Sequence, residues 1–270
     1  MMNSIKEIKM KVHRLGKTGL LVMGMMIASL HSAGQAAQGQ DLDSDGWQLS
    51  VTPYFWFSGI EGDVKVRENT ADVDVGFDDI LDALDYGVQV HIEAQHGRWG
   101  LLLDPTFMAL SVDDDDLDAV VNAELETDLW IVEFGGFCRI VDLPGDRGFP
   151  MSLDVLLGGR YWNLETQLDI GPLSRESDND WVDPFIGLRW IAQLTDRLLV
   201  HIRADVGGFA IYEDASELTW NIYAGPAMKL SKNMTLVSGY RALGIDKEEG
   251  NNFEADLTFA GPEIGLHIQF

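Results

Sequence analysis

From Trp47 to the last residue, apolar side chains recur at every second position, and polar or small ones fill the gaps. In "GWQLSVTPYFWFSG", Trp47, Leu49, Val51, Phe55 and Phe57 share one side. "YGVQVHIEAQHG" sets Val88, Val90, Ile92 and Ala94 against Gln89, His91, Glu93 and Gln95, and "RWGLLLDPTFMAL" sets Trp99, Leu101, Leu103, Pro105 and Phe107 against Gly100, Asp104 and Thr106. "WVDPFIGLRWIA", "RLLVHIRADVGGF" and "ELTWNIYAGPAMKL" repeat the pattern, as does the C-terminal "GPEIGLHIQF". A period of two is the signature of a strand with one greasy and one polar face. A chain written this way almost throughout folds as sheet, and what covers the greasy face decides which sheet.

The links between the alternating runs differ in length. Tight ones stand at 96–98, 142–149, 193–197 and 231–233, and longer acidic ones at 59–85, 111–120, 171–180, 210–217 and 246–252. Short turns at one rim and long loops at the other mark an outer-membrane barrel. The count predicts ten strands, roughly 47–58, 86–96, 98–111, 119–140, 151–170, 181–192, 197–209, 217–230, 233–245 and 253–270. An even number brings both ends to the short-turn rim. Within 59–85, "DVKV" and "ADVDVGF" predict a further hairpin and "DDILDALD" one or two helical turns. If that hairpin crosses the bilayer the barrel has twelve strands, and the count as a whole lies between eight and twelve. Two runs change phase, near Thr127–Trp130 and near Tyr161–Leu164; a bulge, or a strand leaving the membrane for a protruding hairpin, explains either.

A β-sandwich also alternates. Its polar face meets solvent and takes Lys, Glu and Thr, whereas here that face carries Gly, Arg, Asp, His, Tyr and Asn. Trp47, Trp99, Trp190 and Trp220 lie on the apolar faces, several near strand ends, where a membrane–water aromatic girdle sits. Only closure leaves no unpaired backbone edge for strands in hydrocarbon. The fold expected is therefore all-β: a closed, antiparallel, up-and-down transmembrane β-barrel over residues 47–270.

The N-terminal residues fit that location. A basic start, the apolar run 20–30 and the small-residue stretch "HSAGQAAQ" read as a secretory signal peptide over 1–36, followed by an acidic lead-in at 37–46. The apolar run is too short to span a bilayer as a helix. Without residues 1–36, 14 Lys and Arg face 43 Asp and Glu, a net of −29. Such a surface repels nucleic acid, so no nucleic-acid partner is expected. Cys138 is the single cysteine, which excludes an intramolecular disulfide.

The closing run, with Ile264, Leu266, Ile268 and Phe270 outward, resembles the C-terminal signature read by the barrel assembly machinery. Together with "TPYFWFSGIEGDV", "GRWGLLLDPTFMALS", "DPFIGLRW", "DVGGF" and "GYRAL" it resembles a bacterial family of outer-membrane β-barrel proteins of uncharacterised function. The resemblance covers most of residues 47–270. It implies a barrel in the cell outer membrane of a Gram-negative bacterium, with the assembly machinery, periplasmic chaperones, membrane lipids and lipopolysaccharide as partners. It implies no catalytic residues.

The interior carries the candidate chemistry. By alternation and depth, Asp104, Glu133, Arg203, Asp205, Arg241 and Glu263 face inward at one level, and Glu93, Asp154, Arg189 and His201 form a lower set. In a narrow lumen opposite charges at one level meet, and Arg–carboxylate pairs offset their desolvation. The reading is a polar core of paired ions that fixes the barrel and largely plugs it; its sharper form is a porin-like gated passage for small solutes. A surface binding module using loops 59–85 and 171–180 is the alternative.

An enzyme is not expected. Asp183 and Asp205 are inward acids and His91, His201 and His267 inward bases, but the histidines fall toward the inner rim, and no Gly-x-Ser-x-Gly or His-Glu-x-x-His motif occurs. No cofactor or metal is expected either. "DLDSDG" (41–46) opens like a calcium loop, yet Thr52 stands at position twelve where a bidentate Glu is required. "DDDDLD" (113–118) reads as a solvated loop, with loose bridging of divalent cations to lipopolysaccharide phosphates as the hypothesis left for these acidic stretches.

Overall fold

The computed structural model describes residues 46–66, 69–112, 123–144, 150–170, 173–212, 214–249 and 253–270. The leader at 1–36, nearly all of the lead-in and the run at 113–118 lie outside them. The described chain forms twelve strands and one short helix: β1 (Gln48–Trp56), β2 (Gly59–Val66), β3 (Asn69–Val75), α1 (Phe77–Ala83), β4 (Leu84–His96), β5 (Trp99–Val112), β6 (Ala123–Leu143), β7 (Met151–Ile170), β8 (Leu173–Gln193), β9 (Leu198–Gly208), β10 (Leu218–Lys229), β11 (Met234–Glu249) and β12 (Phe253–Gln269).

Ten of them close the barrel. β1 and then β4 through β12 pair antiparallel with their neighbours in chain order, and β1 pairs with β12 from Ser50↔Gln269 to Trp56↔Glu263. The seam is tied at its end by the Phe270 N–H, which donates to the Leu49 carbonyl at 2.8 Å. Apolar side chains cover the outside of the wall: Leu101, Leu103, Phe134, Leu157, Ile186, Leu188, Ile202, Ile222 and Ile264 are all exposed. That belt is the surface a bilayer's hydrocarbon covers. Trp47 and Trp99, 64% and 68% exposed, stand outward at the short-turn rim, whereas Trp220, near the start of β10, lies against Gly244 toward the other rim.

The extra hairpin does not add two crossing strands. β2 continues β1 past a break at Phe57–Ser58 and pairs with the outer half of β12, Ala260↔Gly59 to Phe253↔Val66, and β3 pairs with β2. The pair thus extends the wall above the barrel. Below it the β1–β4 ladder stops at Pro53↔Val90. Proline carries no N–H to continue that ladder, and three residues on, the Trp56 N–H is taken by the Gln89 side chain at 2.7 Å. α1 covers this gap, burying Ile80 and Ala83.

Two expectations need correction. Residues 173–180 are not loop: β7 and β8 pair without interruption from Met151↔Ala192 to Ile170↔Leu173, a hairpin that β6 follows up to Ala123↔Ile170 while β9 stops at Phe185↔Gly207. Nor does a bulge cause the phase changes near 127–130 and 161–164, because the β6–β7 ladder is regular there and shifts only between Arg139 and Val141. What changes is the lumen. Leu129, Ile131 and Trp162 point inward and join Tyr54, Trp56, Met108, Leu243, Ile245 and Phe259 in an apolar layer across the barrel. Alternation continues while the interior turns from charged to greasy.

A smaller apolar layer, Leu102, Phe137, Leu156 and Phe185, lies deeper. The Phe137 ring occupies the space that a side chain at Gly100 would fill. The substitution Gly100→Val is expected to push that ring out of its layer and lower the unfolding temperature, read as loss of the fast-migrating folded band on unheated gels at a lower incubation temperature.

Candidate functional site

Between the two apolar layers lies a band of charge. Glu133 on β6 is its hub: Oε1 accepts from Arg160 (Nε, 3.1 Å) and Arg241 (Nη2, 2.8 Å), and Oε2 accepts from Arg203 (Nη2, 2.7 Å). Asp205 on β9 is a second node, accepting from Arg160 Nη2 at 2.7 Å, Arg203 Nε at 2.9 Å and Asn221 Nδ2 at 2.9 Å. Arg241 also donates to Asn221 Oδ1 at 3.1 Å and to the Tyr54 hydroxyl at 3.3 Å. That hydroxyl in turn donates to Asp104 Oδ1 at 2.6 Å. One continuous network therefore ties β1, β5, β6, β7, β9, β10 and β11 together across the lumen.

A lower set follows the same logic. Asp154 accepts from Arg139 Nε at 2.8 Å and from Arg189 Nε and Nη2 at 3.0 and 2.9 Å, and Arg189 also pairs with Glu93. His91 joins the two levels, with Nδ1 2.8 Å from Asp104 and Nε2 2.9 Å from Glu93. Aromatic rings fill the space between: Arg189 lies over Phe137 at 4.4 Å, and Arg160 and Arg203 over Phe185 at 5.4 and 5.6 Å. Rings so placed attract the guanidiniums while excluding water.

Burial decides what this band can do. Asp154, Arg160 and Asp183 are 0% exposed and Glu133 is 1%. A buried charge without a partner costs several kcal/mol, and each guanidinium here has more than one acceptor or an acceptor and a ring. Five arginines, at 139, 160, 189, 203 and 241, meet four carboxylates, at 93, 133, 154 and 205, and a fifth, Asp104, is held by His91 and Tyr54, so these charges nearly balance. The acidic surplus of the chain lies elsewhere in the sequence, largely in the links such as 59–85 and 111–120.

Of the residues singled out from the sequence, Asp104, Glu133, Arg203, Asp205 and Arg241 share the upper network, and Glu93, Asp154 and Arg189 share the lower one. Glu263 stands within electrostatic reach of Arg241 and Asp104 without a direct bond to either among the described interactions. His201 belongs to neither set: its ring packs on Tyr223 at 5.0 Å, and its Nε2 is buried without a hydrogen-bond partner. Tyr54, Arg139, Arg160 and Asn221 are members that depth counting missed. Arg160 sits two residues before Trp162, where the apparent phase change hid its inward direction; "GGR" and "NLET" around it carry no apolar alternation.

Asp183 holds the outer mouth. It accepts from the Ser216 N–H and Oγ–H, both at 2.8 Å, and from Trp181 Nε1 at 3.1 Å, pinning the segment that links β9 to β10. Lys247 lies over the Trp181 ring at 4.5 Å and donates to the Asp214 carbonyl at 2.7 Å. None of the three inward histidines is near this mouth: His91 is in the charge band, His201 is on Tyr223, and His267 Nδ1 meets Thr52 Oγ1 at 3.0 Å. Among the described residues no group of three or more His, Cys, Asp or Glu is placed to hold a metal ion.

No protein-family model matches the chain, and no curated protein matches its sequence. Solved structures do. The outer-membrane protease OmpT of Escherichia coli is 9% identical, with a TM-score of 0.50, over 85% of this chain and 100% of that one. Ail, the attachment invasion locus protein of Yersinia pestis, is 11% identical with a TM-score of 0.33 over 84% and 99%, and the translocator domain of the autotransporter NalP from Neisseria meningitidis is 11% identical with a TM-score of 0.39 over 85% and 91%. These are outer-membrane β-barrel proteins with different activities. At such identities the likeness to OmpT shows the fold alone.

Glu133→Gln leaves three guanidiniums around an uncharged amide and is expected to cost about 3–5 kcal/mol, the range for breaking a buried pair. Lys65→Ala, which removes the half-exposed Lys65–Glu254 pair on the rim hairpin, is expected to leave the unfolding midpoint unchanged. Urea titrations of the two variants, refolded in detergent and followed by tryptophan fluorescence, check this contrast.

Proposed function

We propose that this chain is an outer-membrane barrel with a closed lumen, serving as a scaffold for the surface it holds outside the cell and acting neither as an open pore nor as an enzyme. One observation carries the reading: Glu133 gathers three guanidiniums from β7, β9 and β11 with essentially no exposure. Small barrels have interiors just wide enough for side chains to fill. Here two charged levels alternate with two apolar layers along the tube.

The outer-membrane setting is supported by the closed, even-stranded sheet and the apolar belt around it. Export through the leader at 1–36, assembly prompted by Ile264, Leu266, Ile268 and Phe270, and a coat of membrane lipids and lipopolysaccharide complete the proposal. The alternative of a narrow passage requires the ion pairs to exchange partners and the aromatic layers to part. The surface-module reading is favoured by a different feature: the rim hairpin of β2 and β3 carries Glu61, Asp63, Asp72 and Asp74, and the outer parts of β7 and β8 carry Glu165, Asp169, Glu176, Asp178 and Asp180.

Refolded protein in planar bilayers is expected to give no unitary conductance steps. Arg203→Ala combined with Arg241→Ala, which empties part of the charge band, is expected to raise ion leakage. Steady, discrete steps from the wild-type protein would overturn the closed-lumen reading.

A further inference from the structure

The rim hairpin leaves a sheet edge uncovered. β3 pairs with β2 from Ile60↔Val75 to Val66↔Asn69, and among the described residues no strand pairs with its other side. In an antiparallel ladder about every second residue turns its N–H and C=O away from the existing partner. A seven-residue edge therefore offers a row of unused donors and acceptors. Natural edges are blunted by charged side chains, lysine above all, by proline or by a bulge; β3, Asn-Thr-Ala-Asp-Val-Asp-Val, has two aspartates but no lysine or proline, and its ladder with β2 is regular, so the edge is closed to acidic strands and left open to basic ones.

The edge also has a chemical character. Asp72 and Asp74 are exposed on one face, and Val73 and Val75 are half-buried on the other. Register carries the charge on across the sheet, because Asp72 is opposite Asp63, Asp63 opposite Asp256, and Asp256 opposite Asp246. Four aspartates thus form one row over four strands, with Asp74 opposite Glu61 in the next row. Like charges set directly opposite weaken strand pairing. Lys65, on the same face, is already paired with Glu254 at 2.9 Å.

We propose that the open side of β3 docks an extended polypeptide segment of alternating basic and apolar residues, added to the sheet as a further strand. Its backbone fills the unused hydrogen bonds of β3, its Lys or Arg side chains lie beside Asp72 and Asp74, and its apolar side chains cover Val73 and Val75. Strand addition of this kind draws affinity from the main chain and selectivity from alternate side chains. That the edge faces the outside of the cell rests on the proposed membrane orientation; the edge itself does not.

The test uses the full mature chain refolded in detergent and a fluorescent peptide of alternating lysine and valine, seven residues long to match β3. Anisotropy is expected to show saturable binding, weakened roughly tenfold or more by Asp72→Lys combined with Asp74→Lys. Methylation of alternate peptide nitrogens, which removes one edge's donors and keeps the charge, is expected to abolish it, and a glutamate–valine peptide is expected not to bind. Unheated gel mobility verifies that the variant barrel is folded. Absence of saturable binding, or equal binding of the methylated peptide, overturns the proposal, the second by reducing the contact to charge attraction. Recovery of the protein in the soluble periplasmic fraction would strike the membrane reading while leaving the binding result standing.

Discussion

Inside a bilayer the backbone has no water to fall back on, so each N–H and C=O in the hydrocarbon must find its partner within the sheet. The pairing of β1 with β12 meets that demand by removing both edges of a ten-stranded ribbon. Much else follows from it. Once the ring is closed, alternation sends one set of side chains to the lipid and the other into the interior of the tube. Charges that reach the tube must be neutralised there by one another.

The interior meets this with stacked layers rather than a uniform polar filling. Glu133 and Asp205 distribute five of their contacts among Arg160, Arg203 and Arg241, so Arg160 and Arg203 are each shared between the two carboxylates while Arg241 turns also to Asn221 and Tyr54. Phe137 and Phe185 lie between the charged levels, and the Trp56–Trp162 layer caps the upper one. Glycine on the inward face makes room for the rings, as at Gly100 beside Phe137. The same closure fails locally where Pro53 ends the β1–β4 ladder, and there Gln89 and α1 stand in for the missing strand. Above that gap the sheet is continued by a hairpin that is free of the closure constraint, and this is where an edge is left open.

Strand identity and inward direction were readable in "RLLVHIRADVGGF" because Leu198, Val200, Ile202, Ala204 and Val206 alternate without exception. Arg203 and Asp205 could therefore be placed in the lumen before any coordinates. In "GGRYWNLET" the rule failed, since Trp162 is an inward apolar residue and the apparent switch of face concealed Arg160. His201 shows the opposite error. Its direction was right, but direction alone does not select a partner, and Tyr223 took the ring that depth counting had assigned to the ion pairs.

By itself the amino-acid sequence determined that the chain would be strands, which face of each would be greasy, and that the ring would close with an even number near ten. These properties follow from local period and turn length. Only the tertiary structure decided which arginine meets which carboxylate, that 173–180 is paired strand, and that the hairpin of β2 and β3 extends the wall instead of joining the ring. Those outcomes depend on register and stagger between strands far apart in the chain, and a period of two is the same for each register that keeps the faces matched.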